Sequence, residues 1–533
     1  WEHAHFFFRA PLSYDAKAVK KRWDSTMGDT MTRLAELLES QPDFSGKVLE
    51  PAVMEWIKSN GLHMGNVMNA FRLTVVGECK VRICLKSPIS SDATRPCAES
   101  VRVWIASILP MSLIYNAVIA AYAGAARIVA MRSGKAALMV RGHRDSIARV
   151  QAGCPEGGYT LWIHAASLGE FEQGRPLIER LLAADSGCRI LLTFFSPSGY
   201  TVRHNFHPRV TTAYLPFDTP GNVEAFLDAA KPQMVVFVKY EFWHNYLQTV
   251  HRRNIPAYII SAIFRPGQRF FGPLGNRFCS DLRCYNRLYV QDEVSRKLLA
   301  DAGIHNVTVA GDTRFDRVAD IRERPLGNSA PGEFAEGSAP VVVFGSSWPA
   351  DEDVYIPWLK ANEGVKAIVA PHEFDARRLG VLRSRLSRVP GDTMLLSEFE
   401  KASVEARSRV SILVIDSFGL LSGLYRLARF AYVGGGFGAG IHNLNEAAVY
   451  GIPVIFGPNH RKFNEAAGLM ACGGGFSVDS ANGFATVASG LADNSSQCAR
   501  AGKAAGDYID SNIGGTDIIF ADLFPQYIKR NDK

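Results

Sequence analysis

Residues 162–174, "WIHAASLGEFEQG", end an apolar run in small residues and then set Glu170 one residue after Gly169. A carboxylate at a strand-to-helix turn sits by the positive end of the helix, which favours its ionised form, the form a general base requires. Ser167 and Gly169 stand beside it. Glu170 is equally explained as a first-turn acid that complements the helix dipole. Glu241 follows a second apolar run, "VVFVKY", and has the same two readings: a chemical carboxylate, or a structural acceptor for nearby amides.

A second group of small and polar residues follows apolar runs later in the chain: Gly345 and Ser346 in "FGSSWP", Pro371 and His372, and Ser417, Phe418 and Gly419 in "IDSFGLL". The stretch "VGGGFGAGIHNLNEAAVYGIPVIFGP", 433–458, adds five glycines before Asn443 and Glu446. Glycines there let a ligand approach bare backbone, and a helix start offers unpaired amides to an anion. The Asn443–Glu446 spacing also fits a capping box, so a well-capped helix behind a glycine turn accounts for it too. The loop has neither the P-loop pattern nor the early-strand setting of a dinucleotide fingerprint. Three such junctions together point to a nucleotide cradle of amides and hydroxyls. No paired acids stand at a strand end to hold a metal; "DED" at 351–353 reads as the opening of a helix.

The elements that must position these residues alternate. "YTLWIHA", "CRILLTFF", "QMVVFVK", "PAYIIS" and "RLYVQ" are short apolar runs separated by helical segments, and the pattern resumes with "VVVFG", "KAIVAP", "SILVID", "FAYVGG" and "PVIFG". Strand–helix alternation predicts parallel sheets covered on both faces, with ligands bound beyond the carboxyl ends of the strands. The Pro/Gly/Ser-rich stretch 322–340 reads as a linker between an α/β domain over 151–321 and another over 341–533.

At 533 residues the chain has room for about three to four domains. Its apolar share of 47% is that of a globular protein, and its net charge of +7 suits an anionic surface or substrate without specifying nucleic acid. Nine scattered cysteines without a CxxC pair fit a reducing compartment and argue against zinc. Residues 103–126 carry no charge and precede Arg127, Arg132, Lys135, Arg141 and Arg144. An apolar stretch followed by cations reads as an anchor on an anionic leaflet, with 111–150 as anchor and basic segment; a buried core helix is the other reading.

Residues 1–80 differ in character and resemble the C-terminal, anticodon-binding helical region of bacterial glutamyl-tRNA synthetases, most clearly in "GNVMNAFRLTVVGECK". No HIGH-type or KMSKS-type signature occurs, so no ATP chemistry is implied. The likeness stops after Lys80, 81–110 reads as an irregular junction, and Met111 opens a segment like a natural amino terminus. The expectation is a joined fragment, either a synthetase tail read through into a second gene or a genuine helical fusion domain.

From Met111 onward "WIHAASLGEFEQGRPLI", "KYEFWHN", "GDTRFD", "FGSSWP" and the segment from "IDSFGLL" to "VIFGP" occur in an order that resembles the Kdo (3-deoxy-D-manno-octulosonic acid) transferases of lipopolysaccharide synthesis. The resemblance implies a GT-B glycosyltransferase with two Rossmann-like domains facing a cleft. CMP-Kdo would be the donor and a lipid A precursor, lipid IVA, the acceptor, with inversion and without cofactor or metal. The enzyme would act at the cytoplasmic face of the inner membrane. Glu170 matches the family's proposed catalytic base, and Glu241 the acid of its "TELWPN"-like motif. Asn443 and Glu446 match the nucleotide-contacting "HNxxE" pair, and Ser417–Gly419 the cytidine loop. Pro371 and His372 fall where many members read Pro-Arg-His, so the arginine is missing here. Arg314 replaces a lysine and would partner the donor's carboxylate or phosphate. Another GT-B enzyme using a UDP- or GDP-sugar, and an RNA-binding protein led by residues 1–80, are the rival readings; a nucleic-acid partner is not expected.

Overall fold

The computed structural model describes residues 111–272 and 275–528, together with scattered residues between 30 and 67. The junction at 81–110 and the first part of the uncharged stretch, 103–110, lie outside the described residues. Within the amino-terminal fragment Leu34, Ile57 and Val67 bury together, and residues 55–59 are helical.

The chain divides into two compact units, residues 1–311 with 518–533, and residues 312–517. In the first, seven strands form one sheet: β1 (Leu161–His164), β2 (Ile190–Phe194), β3 (Val210–Tyr214), β4 (Val235–Val238), β5 (Ala257–Ala262), β6 (Arg287–Val290) and β7 (Val307–Val309). They lie in the order β3-β2-β1-β4-β5-β6-β7 and every pairing is parallel. Apolar side chains cover both faces. Leu161 and Ile163 pack with Phe171, Leu177 and Leu181 of helix Leu168–Ala184 on one side. Trp162 packs with Phe226 and Tyr246 on the other. Strands buried on both faces read as unbroken apolar runs, which is how the sequence displays them.

The second unit repeats the plan with β8 (Val341–Ser347), β9 (Lys366–Pro371), β10 (Asp392–Leu395), β11 (Val410–Val414), β12 (Phe430–Val433), β13 (Val454–Phe456) and β14 (Gly475–Ser477), in the order β10-β11-β9-β8-β12-β13-β14. These pairings are also all parallel. The direction of winding reverses between β1 and β4 in one sheet and between β8 and β12 in the other. The expected pair of parallel-sheet α/β domains is therefore present.

The boundaries differ from those drawn at 322–340. Residues 312–340 pack with the second unit: Phe315, Val318, Ala330 and Phe334 belong to its core, and 330–335 is helical. Asp316 accepts the amides of Gly514 and Thr516, both at 2.6 Å, which fastens helix Arg314–Glu323 to that unit's end. A composition-based boundary misses this because Pro and Gly mark a turn without saying which core the flanking apolar residues join. The chain then returns: Ile519, Phe520, Leu523 and Phe524 enter the core of the first unit, and Arg180 lies 4.6 Å over the Phe520 ring.

Helices Met111–Ala130 and Gly134–Gly153 precede β1. Ile119, Ala123 and Ala126 pack with Phe217, while Ile128, Val129, Met131 and Leu138 are exposed beside the exposed Arg127, Arg132, Arg141 and Arg144. No helix among the described residues is long and apolar enough to cross a membrane.

Deleting the buried Phe520 ring removes apolar packing and leaves a cavity, so Phe520→Ala is expected to cost about 3–5 kcal/mol in denaturant unfolding. An unchanged unfolding midpoint would mean that residues 518–533 do not dock on the first unit.

Candidate active site

In the first unit the turn after β1 is closed by a capping box. Ser167 donates its amide to Glu170 Oε2 at 3.0 Å and its hydroxyl to the same oxygen at 3.3 Å. The amide of Glu170 in turn reaches Ser167 Oγ at 3.5 Å. Among the described residues nothing donates to Oε1 of this buried carboxyl group. Gly169 is exposed at the same turn, with open space where a side chain would stand.

Glu241 follows β4, the neighbour of β1 across the winding reversal. It is buried, pairs with His164 Nε2 at 3.2 Å and accepts the Trp243 indole N–H; its carbonyl accepts the Tyr285 hydroxyl. The other His164 nitrogen meets Thr193 Oγ1 at 2.9 Å, and that oxygen also accepts the Trp162 indole at 2.8 Å. Hydrogen bonds thus link Trp162, Thr193 and His164, and the far nitrogen of His164 lies 3.2 Å from Glu241 without hydrogen-bond geometry. Neither His164 nor Thr193 stands out in the sequence; their one signal is an imidazole at the end of an otherwise apolar run.

The charge state of Glu170 departs from expectation. Burial pushes its carboxyl up to about 8, the Glu241 carboxylate adds to this, and Lys239 with the Ser167 hydrogen bond opposes it only in part. Desolvation and a like charge outweigh the helix start, so the group is chiefly protonated at neutral pH. Lys239 itself is held at φ 73°, and Ser261 at φ 51°, both by the ends of central strands; left-handed non-glycine backbone is strained and collects at functional sites.

The second unit gathers most of the remaining residues at the carboxyl ends of four adjacent strands, β11, β9, β8 and β12. Ser346 is left-handed, φ 51°, where the β8–β9 register slips between Gly345 and Ser347. Gly345 lies under the Tyr425 ring, whose hydroxyl would be 1.9 Å from any Cβ there. Pro371 is buried at the end of β9 and His372 is exposed just after it. His372 stacks on Trp348 and on His442, at 4.5 and 4.6 Å between ring centroids, while Trp348 Nε1 donates to His442 Nε2 at 3.2 Å. Partial desolvation within the stack lowers the His372 imidazole, and burial together with the neighbouring His372 brings His442 down to about 4, so this aromatic platform is uncharged at neutral pH. Ser417, Phe418 and Gly419 form an exposed loop after β11, with Phe418 edge-on to Phe374 at 4.3 Å.

The glycine loop is built differently from the helix-start anion site that its sequence suggests. The helix after it has only four residues, Asn445–Ala448, too short for an appreciable dipole. Asn443 Oδ1 accepts the Asn445 amide at 3.2 Å, its Nδ2 donates to Glu446 Oε1 at 3.1 Å, and Ser422 donates to Glu446 Oε2 at 2.8 Å. Two glycines are required by packing: a Cβ on Gly434 would meet the Ser346 carbonyl at 2.4 Å, and one on Gly436 would meet Gly457 Cα at 2.6 Å. Asp351 pins the loop, accepting the amides of Gly435 and Trp348 at 2.9 and 2.8 Å and the Tyr432 hydroxyl at 2.7 Å.

Arg314 is not available as drawn from the sequence. Its guanidinium is held by Asp312 at 2.7 Å and Glu465 at 3.0 Å, a tether inside the second unit. The acids of "DED" are likewise engaged: Asp351 by its three donors, Glu352 by Arg378 and Arg385, and Asp353 by Arg385. Among the described residues no cluster of metal-ligating side chains occurs.

Residues 138–317 match the family model described as 3-deoxy-D-manno-octulosonic-acid transferase (kdotransferase), and residues 1–80 match the anticodon binding domain. A 3-deoxy-D-manno-octulosonic acid transferase of Bordetella pertussis is 27% identical over 323 residues, covering 58% of this chain and 73% of the relative. A glutamate–tRNA ligase of Porphyromonas gingivalis is 55% identical over 80 residues, 15% of this chain, and only 16% of the ligase is covered. The crystal structure of UDP-GlcNAc 2-epimerase from Neisseria meningitidis bound to UDP-GlcNAc is similar in fold, with a TM-score of 0.50 at 13% identity, over 68% of this chain and 99% of that one. The chain therefore carries a Kdo transferase domain behind an anticodon-binding domain that matches glutamate–tRNA ligase, an arrangement consistent with a fusion.

A carboxyl group whose folded pKa lies near 8, against an ordinary value of 4.5, binds more protons folded than unfolded between those values. Stability should therefore fall as pH rises from 4.5 to 8 and level off above. Glu170→Gln should flatten that slope in melting temperature measured against pH. A slope identical in the two proteins would contradict the raised proton affinity.

Proposed function

We propose that the chain transfers Kdo from CMP-Kdo to a lipid A precursor, lipid IVA, with inversion at the anomeric carbon. The transferase homology supports a glycosyltransferase acting on Kdo in lipopolysaccharide synthesis. The observation that carries the site assignment is Glu170, buried beside Glu241 at the winding reversal, with one carboxyl oxygen that no donor reaches among the described residues. Ligands of open parallel sheets bind at such reversals.

In this reading Glu170 Oε1 takes the proton of the attacking sugar hydroxyl. The anomeric carbon gains oxocarbenium character as CMP leaves, and the hydroxyl oxygen bonds to it from the opposite face. A base whose pKa lies near the working pH combines an adequate ionised fraction with strong proton affinity. The Trp243 indole N–H, donated to Glu241, holds that second carboxylate in place beside His164 and so maintains the like charge that raises Glu170. The Trp348–His372–His442 surface offers flat, neutral rings to the cytosine, and Asn443 and Glu446 offer polar groups to the ribose. No step is assigned to a metal, because each acid of "DED" is already engaged by the donors and cations described above.

The helices 111–153 support docking on the cytoplasmic face of the inner membrane. Ile128, Val129 and Met131 are exposed beside cations, so apolar insertion and attraction to anionic lipid act together.

Glu170→Gln should abolish Kdo addition to lipid IVA, read by mass spectrometry, while CMP still binds. In the wild type kcat/KM should climb as pH rises toward about 8. Near-normal turnover by the variant removes the base assignment, and transfer from a UDP-sugar instead of CMP-Kdo removes the donor. In sedimentation with vesicles containing anionic phospholipid, the Ile128→Asp/Met131→Asp double variant should lose most of its binding relative to wild type. Equal sedimentation would remove the docking reading.

A further inference from the structure

Two successive polar side chains of helix Met111–Ala130, Tyr115 and Asn116, make hydrogen bonds to residues 103 and 129 positions away. Tyr115 donates its hydroxyl to Asp218 Oδ2 at 2.5 Å, and Asn116 Oδ1 accepts the Asn245 side-chain amide at 2.7 Å. Both links meet at the start of helix His244–Arg252. Trp243 precedes that helix and its side chain makes no capping hydrogen bond, although a helix start leaves amides that need partners. Asp218, fully buried, supplies the cap from a distant loop: Oδ2 accepts the Asn245 amide at 3.1 Å and Oδ1 the Tyr246 amide at 3.0 Å. The Asn245 side chain also donates to the Asp218 carbonyl at 2.6 Å, and the Tyr115 ring lies 5.4 Å from the His244 ring between centroids.

Trp243 is thus held from two directions. Its ring packs on Phe195, 5.0 Å between centroids, against the apolar cluster that Ile119, Ala123 and Ala126 form with Phe217. Its indole N–H donates to Glu241 Oε2. Apolar packing on Phe217 would be enough to dock the helix, because the hydrophobic contribution has no direction. A hydroxyl and an amide add direction, and they place it on the residues that follow Trp243. Removing the Tyr115 hydroxyl takes one of three donors from a buried carboxyl group, so the helix start must move or lose its cap.

We infer that Tyr115 and Asn116 are positioning residues: through Asp218 and Asn245 they fix Trp243, and through its indole they fix the Glu241 carboxylate beside Glu170. Helix Met111–Ala130 is then part of the machinery that holds the site in register, in addition to any part in docking. The consequence for turnover rests on the reading of Glu170 as the base; the placement of Trp243 does not.

The test is a double-mutant cycle on the full chain. Tyr115→Phe removes one hydroxyl, and Trp243→Phe keeps an aromatic ring beside Phe195 but removes the indole N–H. With CMP-Kdo and lipid IVA, each should lower kcat about tenfold and leave KM for CMP-Kdo unchanged. The pair should lose no more than either alone, because both act on Glu241 through one link. Asn116→Ala should behave as Tyr115→Phe does and keeps the test valid if that variant does not fold. Losses that multiply overturn the inference. A second measurement needs neither donor nor acceptor and decides the placement of Trp243 even if the transfer reading fails. In the ¹⁹F NMR spectrum of the chain labelled with 5-fluorotryptophan, the resonance missing from Trp243→Phe belongs to Trp243. Tyr115→Phe should shift that resonance and leave the resonance of Trp358, buried in the second unit, where it is. An unmoved Trp243 resonance overturns the inference.

Discussion

In each unit a buried acid closes the turn after the first strand, and the geometry of the sheet edge beyond it depends on that acid. After β1 the acid is Glu170, three residues beyond Ser167. After β8 it is Asp351, three residues beyond Trp348. Both accept the amide of the residue that starts the helix, the reciprocal half of a capping box. A parallel strand ends in backbone groups that no neighbour satisfies, and an acid at this spacing satisfies them while fixing the angle at which the helix leaves.

The two carboxylates then diverge, and the difference separates structure from chemistry. Asp351 is surrounded by donors, two amides and a phenol, which hold the glycine loop against β12 and leave it little else to do. Among the described residues Glu170 receives hydrogen bonds on one oxygen only, and it feels the charge of a second carboxylate. An acid meant only to cap a helix gains nothing from a like charge nearby, which raises the cost of ionising it. Glu241, fixed by the Trp243 indole beside His164, imposes that cost on Glu170. Position alone left Glu170 divided between cap and base. The structure shows that it is a cap, and that burial beside a second carboxylate raises its proton affinity well above that of an ordinary capping acid.

Much of the fold was legible because central parallel strands are buried on both faces. All ten quoted apolar runs are strands, β1, β2, β4, β5, β6, β8, β9, β11, β12 and β13. The four strands not read from sequence, β3, β7, β10 and β14, are the outer strands of the two sheets. An outer strand has one hydrogen-bonding neighbour and less cover, so Thr211, Thr308, Asp392 and Ser477 are tolerated there and the apolar run is broken. The strand-end residues were legible for the same reason that the strands were. Arg314 was not, since its partners Asp312 and Glu465 include one that is 151 residues distant in sequence. His164 was hidden because a single imidazole in an apolar strand is more often a satisfied core residue.

The glycine loop shows how one composition serves two physical ends. Read locally, glycine at 434 and 436 frees backbone for a ligand. In the folded unit those positions are filled by the Ser346 carbonyl and by Gly457, so the missing side chains allow three segments of this unit to close on one another. That closure brings His442 beside Trp348 and under His372, and it sets Asn443 against Glu446. This surface is therefore made of rings and amides whose placement depends on backbone contacts beneath them. A methyl group added at Gly436 would disturb that surface from below without touching any ligand.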